Sequence, residues 1–362
     1  MIESLRNKFV KERFDLQEIL LVPVFATVLA LLIGCFFLLA TGESFANIFV
    51  AYSSLFIGSL GSLNAISETF TAATPLVFAA LGIALAFRAG LFNIGAEGQM
   101  IMGGLATVIV GFSIDFLPIW IHLPLALSIG ALFGALYAAI AGWLKAYTGA
   151  HEVISTIMLN LIALRLLDYV LRSPIIQKEG RNDPISKSVL DTAELPQILF
   201  FIDPQLRLHG GFLLMLVAVF FIYWLLFHTT IGYEFRATGA NPNAAKYAGI
   251  KAGLTIVLVM AIAGALAGLA GANQITGVLG RASPGFSAGI GFDAIAVALL
   301  GRSHPIGVLF AGLLFGALIA GGRLMQVKAG VSVDLITIIQ ALIIVFIAAP
   351  LLVKKSLPWF FK

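Results

Sequence analysis

The chain has 362 residues, of which 60% are hydrophobic and 11% charged, whereas ordinary soluble domains carry about a quarter charged residues. Its 22 basic and 18 acidic side chains cannot coat a water-soluble body of this length, so a soluble enzyme is excluded and an integral membrane protein remains. The net charge of +4 reads as a topology signal and not as a nucleic-acid footprint, because no basic, aromatic-interleaved patch lies between the basic chain ends.

Residues 1–18 carry Arg6, Lys8, Lys11 and Arg13 among four acids and read as a cytoplasmic segment. The apolar run at 19–39 is too long for a cleavable signal peptide and predicts an uncleaved first span. The single Cys35 lies within it, so no disulfide or cysteine metal framework is available. Further spans are predicted near 72–88, 98–114, 123–144, 153–171, 211–228 and 253–272, then a glycine-broken stretch at 273–301, then 305–322 and 334–353. With the N-terminus inside, the 42–70 loop falls outside and contains no Lys or Arg, while Lys145, Arg236, Lys246 and Lys251 fall inside. The 173–210 loop falls outside, with its charges nearly balanced. If 273–301 crosses once, the tail 354–362, with Lys354, Lys355 and Lys362, also lands inside. The expected fold is therefore an all-α polytopic membrane protein of about ten helices, with a transmembrane domain over 19–353 and both ends cytoplasmic.

An internal repeat fits that count. Residues 129–139 and 311–321 agree at seven of eleven positions at an offset of 182, which also pairs 151–157 with 333–339 and Gly82 with Gly264. Both copies carry a GxxxG pair, Gly130/Gly134 and Gly312/Gly316, which lets helix backbones approach closely. The offset relates spans 2–5 to spans 7–10, which begin on opposite sides, so the repeat has inverted topology.

Two segments stand out from the apolar background. In FRAGLFNIGAEGQM, residues 87–100, glycine-bounded breaks bring Asn93, Glu97 and Gln99 close to the membrane. Such a break lines a pathway or gate, or else forms a tight cytoplasmic turn with capping side chains. Asn160, two turns beyond Glu152, can face the interior. Glu152 and its repeat mate Asp334 read as helix-end caps, as do Arg302 and His304. The second segment is the cytoplasmic loop 229–251, in which NPNAAKYAGI predicts a short helix capped by Asn241 with Pro242 in its first turn. Its smooth Ala/Gly face suits a groove on another protein.

EFRATGANPNAAKYAGI resembles the coupling-helix signature of bacterial ABC-importer permeases of the ribose and branched-chain-amino-acid type. PLVFAALGIALAFRAGLFNIGAEGQMIMGG, HEVISTIMLN and GFDAIAVALLGRSHPIGVLFAGLLFGAL resemble the same family, most of all its simple-sugar and nucleoside branch. The resemblance runs from about residue 70 to 353, with four blocks in order. It implies a multi-pass subunit of the bacterial cell membrane that hydrolyses nothing itself. A cytoplasmic ABC ATPase would bind ATP and magnesium and grip the loop around Glu234, Arg236, Gly239, Asn241, Ala244 and Ala245. A second permease subunit, identical or related, would complete the path, and an extracytoplasmic binding protein would deliver a small polar solute, nucleoside first and simple sugar second.

The residues themselves agree with a non-enzymatic role. There is no G-x-x-x-x-G-K-[ST] phosphate loop. His151-Glu152 lacks the second histidine of a zinc-protease motif, since position 155 is Ser155, and the five histidines have no metal spacing. No catalytic or metal residue and no cofactor is therefore expected in the chain. An ion-coupled secondary transporter is the alternative; it would need a buried mid-span carboxylate or an unwound carbonyl cluster.

Overall fold

The computed structural model describes residues 16–332 and 334–348. Most of the predicted segment 1–18 and all of the tail 354–362 lie outside the described residues. The described chain is all-helical, with thirteen α-helices and isolated bridges in place of strands. These are α1 (Leu16–Ala40), α2 (Phe45–Leu60), α3 (Leu63–Arg88), α4 (Ala96–Ser113), α5 (Ile119–Trp143), α6 (Glu152–Leu171), α7 (Gly211–His228), α8 (Thr230–Ala240), α9 (Pro242–Tyr247), α10 (Ala252–Asn273), α11 (Ile290–Leu300), α12 (Pro305–Ala329) and α13 (Asp334–Ala348). Among the described residues, six helical segments are long and apolar enough to cross a membrane.

The sequence differs from the structure most at 42–70. In place of an external loop, this stretch holds α2 and the beginning of α3. Serines and threonines dilute its hydropathy, yet hydroxyls are absorbed by the helices: Thr69 donates to the Ser59 carbonyl at 2.8 Å and Ser53 to the Val50 carbonyl at 3.0 Å. Ser62 starts α3, its hydroxyl accepting the Ala65 N–H. The 229–251 loop is also more helical than expected, because α8 precedes the predicted short helix.

Two compact units are present. One comprises residues up to 58 together with those from 321 onward. In it α1 packs on α13, the Tyr52 hydroxyl donates to the Leu31 carbonyl at 2.6 Å, and Asn47 donates to the Ala329 carbonyl.

The other unit, residues 59–320, carries the candidate site. Its centre is a seam of α4, α5 and α10 with almost no side chain between backbones. A Cβ on Gly134 would overlap the Gly264 carbonyl and the Gly268 Cα, and one on Gly103 would overlap Gly268 as well. The repeat is visible in this packing. The GxxxG of α5 lies on α10, while the GxxxG of α12 lies on Val77, Thr69 and Ala73 of α3. At the 182-residue offset α5 maps to α12 and α3 to α10, so each repeat packs its GxxxG helix on the other repeat's partner. The α3 helix starts at the 173–210 loop, where Ser67 accepts the Leu208 N–H, and ends near the last turn of α7; α10 ends at Asn273 beside Gly211, at the first turn of α7. The mapped helices thus run in opposite directions.

The glycine-broken stretch leaves α10 beside His209 and ends at His304, stacked on Phe227 in the last turn of α7. It traverses α7 from end to end once. The 173–210 loop is ordered against the start of that stretch: Val189 donates to the Gly280 carbonyl and Leu195 to the Thr276 carbonyl, both at 2.9 Å.

The seam predicts an asymmetric response to substitution. Gly134→Leu should force α5 from α10 and cost about 1–3 kcal/mol or more, seen as a lowered thermal midpoint in detergent. Gly253→Ala, where the nearest atom is the Ala146 methyl at 3.8 Å, should leave the midpoint unchanged or raised. A Gly134→Leu protein as stable as the parent would contradict this packing.

Candidate functional site

The site begins where α3 stops. Gly90 takes a positive φ of 71°, which a side chain disfavours, and the backbone runs irregularly to Gly95 before α4 begins. Such a stretch inside an apolar bundle exposes peptide groups that must find partners. Asn93 accepts the Gly95 N–H at 3.0 Å, and its amide pairs reciprocally with Gln99 at 2.9 and 3.0 Å. Asn160 of α6 reaches in to accept the Gly98 N–H at 2.8 Å and to donate to the Ile94 carbonyl at 2.9 Å. Asn93 and Asn160 thus satisfy backbone that the break leaves open, and Gln99 holds the Asn93 amide in place.

Glu97 closes the second break. Its carboxylate accepts the Ser287 hydroxyl at 2.5 Å, the Gly291 N–H at 2.7 Å and the Gly289 N–H at 3.3 Å. The last two are donors at the start of α11 with no partner inside that helix, so a negative charge there meets the positive end of the helix. The starts of α4 and α11 are therefore tied to one carboxylate. Asn93, Glu97, Gln99 and Asn160 are all brought together, and all four are at least 96% buried.

The 229–251 loop docks at the outer edge of the first break. Thr229 caps α8, accepting the Gly232 N–H at 3.0 Å. Gly239, near the end of α8, lies so close to Arg88 and Ala89 that a Cβ would strike their backbone, and a Cβ on Gly90 would come within 3.0 Å of Gly239 in turn. Asn241 then caps α9, accepting the Asn243 and Ala244 N–H groups at 3.0 and 3.1 Å, with Pro242 at the first helical position. The predicted loop residues divide by exposure. Ala245 is buried, Glu234, Arg236 and Gly239 are half-buried, and Asn241 and Ala244 are exposed beside Lys246 and a 94% exposed Tyr247.

A cluster that sequence reasoning missed joins these parts. The Phe227 ring lies under the guanidinium of Arg88 at 5.8 Å and of Arg236 at 5.5 Å, and stacks on the His304 ring at 5.3 Å. Arg88 also donates through Nε to the Ser303 carbonyl at 2.9 Å. Arg302 and Ser303 hold positive φ angles of 53° and 51°, a strained turn that aims this carbonyl at Arg88. His304 does cap α12 through its carbonyl, which accepts the Val308 N–H, but its ring belongs to this cluster. The ends of α3, α7, α8 and α11 and the start of α12 thus meet around one phenylalanine. No sequence signal separates Phe227 from the other 28 phenylalanines.

Glu152 opens α6 and pairs with Lys145 at 2.8 Å, and Asp334 opens α13 against Ser332, both at helix N-termini. At the other end of the unit, a cleft of about 570 Å³ is lined by Asp191, Glu194, Phe200, Phe201, Arg207 and Thr276, among others. Burial, with the nearby Asp191 charge, holds the Glu194 carboxyl above the usual range.

A broken-helix core tied to a docked polar loop, among helices apolar and long enough to cross a membrane, fits a multi-pass transport subunit. The family described as branched-chain amino acid transport system / permease component matches residues 65–348, and the chain belongs to it. Among curated relatives, a guanosine ABC transporter permease protein of Bacillus subtilis is 40% identical over 332 residues, covering 91% of this chain and 93% of its own. A nucleoside ABC transporter permease protein of Lactococcus lactis is 36% identical over 342 residues, 93% of each chain. A glucose ABC transporter permease protein of Haloferax volcanii is 36% identical over 331 residues, 90% of this chain and 86% of its own. No solved structure gives a significant match.

Two substitutions test the site's construction. Asn160→Leu strands the Gly98 N–H and the Ile94 carbonyl, at roughly 1–3 kcal/mol for each buried group, and should lower the thermal midpoint by several degrees; an unchanged midpoint would show the break held by other contacts. Near the cleft, burial and the Arg207 charge press the fully buried His209 down to about 4. A histidine neutral when folded stabilises above its unfolded value and loses that contribution as pH falls from about 6.5 towards 4, on the order of 3 kcal/mol in all. His209→Gln should flatten the acid limb of a stability-against-pH curve over that window, and an unaltered limb would contradict it.

Proposed function

We propose that this chain is the membrane-spanning permease subunit of an ATP-driven ABC importer of nucleosides, resident in the bacterial cell membrane. The observation that carries the reading is the geometry of α9. It is a capped helix exposed on all but the Ala245 side, raised on a base that is packed into the end of α3. A cytoplasmic ATPase that binds ATP and magnesium can grip such a knob and move what lies beneath it. The chain has no phosphate loop of its own.

In this reading the membrane is crossed ten times, by α1, α3 to α7, α10, the broken stretch ending in α11, α12 and α13. The opposite course of α3 and α10 then makes the repeat an inverted one, an arrangement many transporters use for alternating access. A second permease subunit, identical or related, completes the path, and an extracytoplasmic binding protein delivers the solute towards the Phe200–Arg207 cleft. The guanosine and nucleoside permeases, matched over nine-tenths of the chain, support a nucleoside as cargo. A simple sugar is the second reading, favoured by the 36% identical glucose permease. Ion coupling is disfavoured because the Glu97 carboxylate is already held by three protein donors.

Ala244→Asp tests the docking face. An unpaired charge pressed into a protein–protein cleft costs roughly 3–5 kcal/mol. The variant should insert and melt normally, lose capture of its ATPase, and abolish uptake of labelled nucleoside. Arg236→Glu is the poorer probe, since it disturbs the Phe227 cluster. Normal ATPase capture by Ala244→Asp would place the coupling surface elsewhere. Uptake competed by glucose or ribose but not by nucleosides would assign the sugar reading.

A further inference from the structure

The first break contains one side chain that its hydrogen bonds do not explain. Between Leu91 and Gly95 the residues are buried or half-buried, except that Phe92 is 56% exposed. Its neighbours are fixed. Leu91 is 4% exposed with its N–H on the Ala86 carbonyl, and Asn93 is locked to Gly95 and Gln99. The Phe92 ring leans on Phe87 of α3, centroids 5.1 Å apart, and its backbone N–H sits against the Glu152 carboxylate at the start of α6.

The break runs alongside α6, with Gly95 packed on Thr156 and Gly98 on Asn160, in the second and third turns of a membrane-length helix. Irregular backbone at that depth persists only where it is buried in protein or borders a water-filled cavity. The Lys145–Glu152 ion pair lies beside Phe92, at the start of α6. Phe92 thus stands out of a hydrogen-bonded break, next to an ion pair at the start of α6.

We infer that Phe92 is the inner gate of the solute path, a hydrophobic ring that closes its cytoplasmic mouth and is moved by the ATPase-gripped loop. The inference rests on the reading of the chain as an ABC permease. The linkage is short: Gly90, two residues before Phe92, is in backbone contact with Gly239 of α8. A tilt of α8 displaces the end of α3 and swings the ring, while the Asn93 and Asn160 bonds hold the far side of the break as a hinge. A phenyl ring suits the task because it blocks polar solutes and ions without offering a nucleoside a hydrogen bond to linger on, yet it can stack on a passing base.

The test uses the complete transporter in inside-out vesicles. Phe92→Cys is made in a Cys35→Ser background, which removes the chain's only native thiol. A charged, membrane-impermeant thiol reagent added from the cytoplasmic side should label the introduced thiol, with a rate differing at least about tenfold between the nucleotide-free and the ATP-trapped assembly, as a two-state gate demands. Phe92→Ala should insert normally and leak labelled nucleoside without ATP, and Phe92→Tyr should restore a closed path. Labelling by membrane-permeant reagents alone, an equal rate in both nucleotide states, or a tight Phe92→Ala path would each overturn the gate. The parent transporter separates the two readings: uptake that survives loss of the ATPase's phosphate-loop lysine removes the permease reading itself, whereas ATP-dependent uptake with state-independent labelling removes only Phe92.

Discussion

Peptide groups that leave a helix inside an apolar bundle must be hydrogen-bonded there, and that requirement organises the candidate site. Two breaks occur, after α3 and before α11, and four buried side chains answer them. Asn93 and Gln99 close the first break on itself, Asn160 ties it to α6, and Glu97 ties it to the second break through Ser287 and Gly291. Remove these bonds and neither break is tolerable; keep them and the two breaks behave as one joint.

That joint is mounted on a stiff frame. The glycine seam of α4, α5 and α10 brings backbones into contact, so these helices have little room to shear without parting. The free end of the assembly is the α8–α9 loop, anchored where Gly239 meets Ala89 and where Arg236 and Arg88 share Phe227. Force applied at the exposed face of α9 therefore has one short route inward, through the end of α3 to the break. Arg88 also bonds the strained turn at Ser303, which joins the end of α3 to the turn that follows α11.

Local codes in the sequence were readable and long-range ones were not. Asn241-Pro242 announces a helix start because capping depends on three adjacent residues, and α9 begins there. The repeat was legible because GxxxG and a constant offset survive in the letters, and the exchanged packing of α5 on α10 and α12 on α3 follows them. The helix at 45–60 was hidden because its serines look like loop residues until the Ser53 hydroxyl is seen bonded back to the Val50 carbonyl. The polar residues of the break were found, but their letters do not say whether they face a path or the protein; the structure turns them inward and leaves Phe92 outward. The Phe227 cluster was beyond reach, since Arg88 and Ser303 are 215 residues apart and nothing local marks their meeting.

The central claim is that movement of the 229–251 loop, proposed above as the ATPase-facing segment, is passed directly to the break between α3 and α4. Spin labels at Tyr247 and at Phe92, each paired with a label at Phe116 in the turn beyond α4, report the two ends of that route, and all three positions are exposed. On passing from the nucleotide-free to the ATP-bound transporter, the 247–116 and 92–116 distances should change together. A shift in the first with the second unmoved would contradict the account.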